Sequence, residues 1–201
     1  MPTTTMAQAI WPRPAAHPAA ARTRDIALVF GFSLLTALSA QVVLPLPLVP
    51  ITGETFAVLL TGALLGPRLG ALAMILFLLE GAMGLPVFTE GRSAWSPSNL
   101  PGLPTIMGPT AGYLLSYPFA AGLAGLLAAR GWDRRAPSTL CAMLLGSLVI
   151  YIGGAGWLAH FMGLPKAVSV GVAPFLAGDA VKALAAAALL PLGWNALGRR
   201  G

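Results

Sequence analysis

The sequence predicts an all-α integral membrane protein, built as a single bundle of six transmembrane helices. Of its 201 residues, 57% are hydrophobic and only 9% are charged, whereas soluble proteins carry about 25% charged residues. The apolar residues also gather into runs. Because one span needs roughly 20 residues, a chain of this length has room for about six spans. The charges are too few to cover the surface of a soluble domain.

Residues 1–25 precede the first apolar run. Four prolines and three arginines are spread over this segment without any apolar period. Such a composition buries too little apolar surface to fold. We therefore expect a disordered cytoplasmic tail, followed by a six-helix substrate-binding domain over residues 26–198. The run from Ile26 to Leu44 is long for a signal peptide, so it is predicted to be a retained first helix.

Proline and glycine mark the next boundaries. The segment Pro45–Pro50 cannot continue a helix because it contains three prolines, and it is predicted to be an ordered extended loop. The second and third helices, over residues 52–65 and 69–83, are separated by Gly66-Pro67-Arg68. Both are short for a full crossing. They form either a hairpin of short helices or a partly re-entrant unit, and the hairpin is favoured.

The longest predicted loop spans residues 84–107 and contains four prolines. Long ordered loops usually carry function. Three further helices follow, over residues 108–129, 139–161 and 172–197. Cys141, the single cysteine, begins the fifth apolar run and is expected to be a packing residue, since one cysteine forms neither a disulfide framework nor a cysteine metal site.

The basic residues are distributed asymmetrically if the N-terminus lies in the cytoplasm. Nine of them then fall on the cytoplasmic side: Arg13, Arg22, Arg24, Arg68, Arg130, Arg134, Arg135, Arg199 and Arg200. Only Arg92 and Lys166 fall in outer loops. This bias follows the positive-inside rule. It predicts a multi-pass protein of the cell membrane with both termini in the cytoplasm and with loops 45–50 and 84–107 outside.

Asp179 and Lys182 are the charged pair of the sixth helix. Residues three apart share a helix face, so the carboxylate and the ammonium lie on the same side, near the outer end. Charged groups within a span usually face a cavity or one another. One interpretation is a self-neutralising pair that only orients helices. The other, which is favoured, is a polar binding pocket open to the outside.

Other polar residues lie at the same predicted end of the bundle. Tyr113 follows a helix start, Gly108-Pro-Thr-Ala-Gly, whose free N–H groups attract anions, although an interfacial aromatic residue is the commoner reason for such a tyrosine. Glu54 and Glu80 have no basic neighbour at helical spacing. Protonation or an interfacial position is favoured over ligand contact for both of them.

Several function classes are excluded by the pattern. The net charge of +6 is scattered singly among apolar runs, and so it predicts no nucleic-acid surface. The sequence contains no metal-ligand cluster, no phosphate-binding loop with its lysine and no serine–histidine–acid arrangement. An enzyme, a metal and a resident cofactor are therefore not expected. ATP-driven transport would need a partner with a soluble motor.

Six segments in order resemble the BioY family, the biotin-specific substrate-binding (S) components of energy-coupling-factor (ECF) transporters. They are Pro47–Thr52, Thr55–Leu60, Leu65–Gly70, Gly84–Phe88, Gly108–Tyr113 and Gly178–Lys182. The resemblance covers roughly residues 26 to 195. It implies a six-helix protein that captures biotin, as a transported ligand, from the outside. It also implies a coupling transmembrane protein and two ATPases as partners, besides membrane lipid, and it leaves a homo-oligomer open.

Carried over by motif, the resemblance implies roles for four residues. Asp179 and Lys182 would meet polar groups of biotin, Tyr113 would line the pocket, and Phe88 would pack near the thioether ring. Outside these motifs, Asn99 would bond the ureido ring and Arg92 would pair with the carboxylate. These last two lie in a loop that is longer than the family's usual link. At Glu54 the family pattern has an amide side chain.

Two alternatives from other classes stay open at this point. One is a small intramembrane lipid-modifying enzyme that uses Asp179 and Lys182 as acid and base, since groups three residues apart can exchange a proton. The other is an assembly subunit that binds a partner but no small ligand.

Overall fold

The computed structural model describes residues 4–198, which contain eight α-helices and one small β-hairpin. The helices are α1 (Met6–Ile10), α2 (Pro18–Ala40), α3 (Glu54–Leu65), α4 (Pro67–Ala82), α5 (Ala111–Ala128), α6 (Ala136–Met162), α7 (Leu164–Gly171) and α8 (Phe175–Gly198). The hairpin pairs β1 (Val43–Leu44) with β2 (Ile51–Thr52) in antiparallel register. The chain is therefore mostly helical. Arg199 and Arg200, which entered the count of basic residues, lie outside the described part.

Six of the helices, α2 to α6 and α8, occupy the predicted positions. Four of them, α2, α5, α6 and α8, are long and apolar enough to cross a membrane. The other two have 12 and 16 residues, which at about 1.5 Å per residue reach only about 18 and 24 Å. Four spans are thus supported directly, while the count of six stays a prediction.

The N-terminal segment differs from the prediction. Residues 1–25 were expected to be disordered, but α1 and the first turns of α2 lie within them. The guanidinium of Arg24, which is only 2% exposed, donates to the carbonyl oxygens of Ala7 (3.0 Å) and Trp11 (2.7 Å). Met6 is also buried and lies near Gly193 of α8. These tertiary contacts hold a segment that has no apolar period of its own.

Two other elements were not predicted. The extended loop 45–50 is ordered, as expected, but short strands flank it, so the fold is not purely helical. α7 lies in the connection between the fifth and sixth predicted spans. It has eight residues, too few for an apolar period to show in the sequence.

α5 is the central helix of the bundle. It packs against α3, α4 and α6, and 67% of its residues are buried, against 22% of the most apolar stretch of α2. Glycines permit its close approach to α3: a Cβ added at Gly62 would clash with the carbonyl oxygen of Ala121, and one at Gly125 with the backbone of Gly66. Small residues of this kind let helix backbones meet without intervening side chains.

Large apolar side chains face outward along the peripheral helices. Examples are Ile26 (68% exposed) and Leu38 (70%) on α2, Ile152 (66%) on α6 and Val181 (67%) on α8. Such a surface is unfavourable in water but matches the hydrocarbon of a bilayer. The molecule is therefore a membrane protein, with loops 45–50 and 84–107 together at one end of the bundle, called here the loop end.

Candidate ligand-binding site

A cavity opens at the loop end, where the N-terminal turns of α3, α5 and α8 meet the inner face of α6 under the two loops. The empty space there is about 690 Å³, a figure that includes solvent at the open mouth. Its wall is chemically mixed. The hydroxyl groups belong to Thr52, Thr55, Thr89, Thr105, Thr110, Tyr113, Tyr117 and Tyr151, and the charged groups to Glu54, Glu90, Arg92 and Lys182.

Aromatic rings shape the apolar part of the wall. Phe88 is 1% exposed and meets Phe77 edge to face, with ring centroids 5.2 Å apart. Tyr113 stacks on Phe175 at 6.4 Å, and its hydroxyl donates to the carbonyl oxygen of Gly171 (2.7 Å). Both residues lie in the cavity wall, where the sequence predicted them. Their contacts fix the ring planes that face the interior.

Asp179 and Lys182 meet in a network that joins three helices. Lys182 Nζ donates to Asp179 Oδ1, to Thr55 Oγ1 and to the carbonyl oxygen of Thr52, each at 2.8 Å. Asp179 Oδ1 also accepts from the Thr55 hydroxyl (3.0 Å), and its Oδ2 accepts from the Tyr151 hydroxyl (2.6 Å). The three protons of the ammonium therefore all have acceptors.

The predicted pair has the contacts of an orienting pair, while a binding pocket open to the outside stays a prediction. It ties α8 to α3 and α6, as an orienting pair would, and Lys182 also lies in the cavity wall. Asp179, 5% exposed, lies behind the wall and does not line the cavity. In this arrangement Asp179 positions the lysine, Thr55 and Tyr151.

Arg92 and Asn99 form the rim under the long loop. Arg92 Nη1 donates to Asn99 Oδ1 (2.7 Å) and Nη2 to Glu90 Oε2 (2.6 Å). Asn99 Nδ2 donates to the carbonyl oxygen of Leu48 (3.1 Å) and so ties the long loop to loop 45–50. A left-handed backbone at Glu90 (φ 60°) turns the chain here. The Arg92 side chain keeps 29% exposure, which leaves its cationic group accessible at the mouth.

Glu54 lies in the wall as well, although the sequence favoured protonation or an interfacial position over ligand contact. Its carboxylate is buried and accepts hydrogen bonds from Thr52, Thr89 and Tyr117. Thr89 lies 35 residues and Tyr117 63 residues away in the chain, so no local spacing reveals the cluster. The one signal of this cluster in the sequence was the spacing of Tyr113 and Tyr117, which are one helical turn apart and so share a helix face.

The arrangement suits a ligand with polar groups at both ends of an apolar body. Hydrogen-bond acceptors and donors lie in the inner part of the cavity, and the cationic group of Arg92 lies at its mouth. Aromatic rings lie between the two. Within residues 4–198, no group of three or more histidine, cysteine or acidic side chains forms a metal site. The wall offers a ligand hydrogen bonds, charge and ring packing.

Fold and cavity together define a polytopic helical membrane protein whose bundle has a cavity at one end. The profile of the BioY family matches residues 11–199. The chain belongs to the BioY family.

Individual relatives agree with this assignment. A probable biotin transporter BioY from Pyrococcus horikoshii is 41% identical over 165 residues, which cover 82% of this chain and 93% of the relative. The biotin transporter BioY of Rhizobium etli is 37% identical over 186 residues, covering 83% and 91%. Similarity thus extends over most of both chains.

One solved structure shares the fold. It is the crystal structure of the S-component for biotin from an ECF-type ABC transporter, with a TM-score of 0.73 over 88% of this chain and 93% of that one. Its sequence is 22% identical. At that identity the match supports the helical architecture described above.

Proposed function

We propose that this chain captures biotin from the outer side of the cell membrane and delivers it inward as the S component of an ECF-type transporter. The observation that carries the proposal is the enclosed cavity at the loop end, with Lys182 in its wall and Arg92 at its mouth, in a chain whose relatives are named biotin transporters. Biotin has a polar ureido ring, an apolar thioether body and a carboxylate, which match the wall in that order.

The proposed contacts follow the geometry of the wall. Lys182 meets a polar group of biotin, with Asp179 holding it in place. Phe88 and Tyr113 pack against the bicyclic ring, Asn99 bonds a ligand polar group at the rim, and the exposed face of Arg92 attracts the valerate carboxylate.

The proposal includes partners and topology. A coupling transmembrane protein and two ATPases would supply the energy that this chain, with no phosphate-binding motif in its sequence, does not provide itself. No resident cofactor is proposed, since biotin is the transported ligand. Both termini would lie in the cytoplasm, and α3 and α4 would form a hairpin that completes six transmembrane helices.

The enzyme alternative has no supporting observation. Asp179 and Lys182 are engaged with each other and with Thr55 and Tyr151. Turnover of a lipid-linked substrate by the pure protein would support the enzyme alternative.

The direct test is equilibrium binding of biotin to the detergent-purified protein. Riboflavin and thiamine serve as control vitamins, and gel filtration shows that the protein is folded. We expect saturable binding of biotin alone. Folded protein that binds no biotin, or that binds all three vitamins equally, would contradict the proposal.

A further inference from the structure

Glu54 is a buried residue of the cavity wall, and within residues 4–198 only one of its two carboxylate oxygens is hydrogen-bonded. It is the first residue of α3 and is 4% exposed. Its Oε2 atom accepts from three hydroxyl groups, those of Thr52 and Tyr117 at 3.0 Å and that of Thr89 at 3.3 Å. The Thr52 hydroxyl itself accepts from the Glu54 N–H, so its own proton is directed to Oε2. This oxygen is therefore an acceptor with all its capacity used.

The second oxygen of the same carboxylate has no partner. Within residues 4–198, Glu54 Oε1 is buried and makes no hydrogen bond. Such an orphaned acceptor costs the full desolvation of the group, which is largest when the group is charged. In a cavity wall, a ligand donor that occupies this position removes that cost.

Within residues 4–198, no basic side chain of the wall forms an ion pair with Glu54. Lys182 directs its three protons to Thr52, Thr55 and Asp179, and Arg92 is paired with Glu90 at 2.6 Å. Within residues 4–198, Glu54 is then the acidic residue of the wall without an ion-pair partner, and its second oxygen is left for a hydrogen-bond donor.

We infer that Glu54 Oε1 accepts a hydrogen bond from a ring N–H of the ligand, which makes the inner site specific for cyclic ureas and cyclic guanidines. The inference rests on the proposed function, since the ureido ring of biotin carries two such N–H groups. Glu54 is the acceptor that fixes the orientation of the ligand ring and determines which types of ring bind. A ligand ring with only hydrogen-bond acceptors at this point would place an acceptor against the carboxylate oxygen, and no proton would be present to form a hydrogen bond.

The test compares two ligands that differ only in this ring. Biotin carries a cyclic urea, and 2-iminobiotin carries a cyclic guanidine that is protonated at neutral pH. Glu54→Gln keeps the size of the side chain and removes its charge. The matched control is Glu80→Gln, because Glu80 is equally buried (3% exposed) but bonds Ser33 of α2 outside the cavity wall.

The wild type and Glu80→Gln should bind both ligands. Glu54→Gln should lose affinity for 2-iminobiotin at least about tenfold more than for biotin, because a hydrogen bond between two charged groups is replaced by a weaker one. An unchanged ratio of the two affinities, or a shift in favour of 2-iminobiotin, would overturn the inference while leaving biotin capture intact. If the folded wild type binds no biotin, the proposed function itself fails.

A second measurement needs no variant. On the wild type, affinity for 2-iminobiotin should fall as alkaline pH removes the guanidine proton, while affinity for biotin over the same range serves as the control for the protein's own titration. Tighter binding of the neutral guanidine, relative to biotin, would contradict a carboxylate acceptor at this position.

Discussion

Asp179 shows how one side chain can serve both the bundle and its cavity. It accepts hydrogen bonds from α3, α6 and its own helix at 2.6 to 3.0 Å, and it lies behind the wall rather than in it. Its influence on a ligand is exerted through Lys182. A change at Asp179 is therefore expected to alter binding more than folding.

Asp179→Asn tests this expectation. The amide keeps the shape and one acceptor but removes the charge that holds the ammonium, so biotin affinity should fall about tenfold or more with little loss of folded protein. Binding isotherms and gel-filtration yield measure the two effects. Asp25→Asn, the same change at an ion pair of α2 with Arg13 and Arg24, is the control. Equal loss of folding and binding would favour a purely structural pair.

Asp133 is a buried acid outside the spans, in the turn between α5 and α6. It is 2% exposed, and its Oδ2 accepts from Trp194 Nε1 at 2.6 Å. Burial raises the pKa of the Asp133 carboxyl above its ordinary value, and the Trp194 hydrogen bond offsets part of that effect. The folded state therefore binds the proton more tightly than the unfolded chain does.

Stability should consequently fall as pH rises from the ordinary aspartate pKa, about 3.9, through the raised value in the folded protein. Asp133→Asn keeps an acceptor for Trp194 and removes the charge. We expect its melting temperature to exceed that of the wild type at neutral pH, with the difference shrinking below about pH 4. Thermal unfolding in detergent across this range measures it, and a difference that does not change with pH would contradict the assignment.

Among the elements, the contact of α3 with α5 depends on small residues. Gly62 has no room for a methyl group because the Ala121 carbonyl oxygen occupies that position. α3 also carries Glu54 and Thr55 into the cavity wall. A shift of this helix would therefore displace ligand-binding groups as well as reduce packing.

Gly62→Ala should lower the free energy of unfolding by about 1–3 kcal/mol, the usual cost of overpacking. Gly31→Ala, on α2, is the matched control because a Cβ there meets nothing within 4 Å. It should be neutral or slightly stabilising, since alanine favours helix more than glycine does. Thermal or denaturant unfolding in detergent measures both, and equal effects of the two variants would contradict the packing account.

At the scale of the whole molecule, the distribution of basic residues predicts which end faces outward. In a Cys141→Ser background, Lys166→Cys reports on α7 and Arg130→Cys on the turn before α6, and both positions are exposed. A membrane-impermeant thiol reagent applied to intact cells should label Lys166→Cys and not Arg130→Cys. After cell lysis both should react. The reverse pattern on intact cells would invert the topology.

Much of the fold could be predicted from sequence because apolar runs and proline or glycine breaks set helix ends. The hairpin turn at Gly66 lies where it was expected, and α3 ends one residue before it. α1 could not be found in this way, since Arg24 and Met6 hold it through contacts with other elements. The spacing of Asp179 and Lys182 predicted their ion pair, and Lys182 lies in the cavity wall. The Glu54 cluster could not be identified, because its partners come together only in the folded chain.

The most direct test of the central claim, that the loop-end cavity is the biotin site, is an experimental structure of the protein saturated with biotin. We expect the ligand in this cavity, with its ureido ring toward Glu54 and Lys182 and its carboxylate toward Arg92. Biotin bound elsewhere on the protein, with the cavity empty at saturation, would contradict the account.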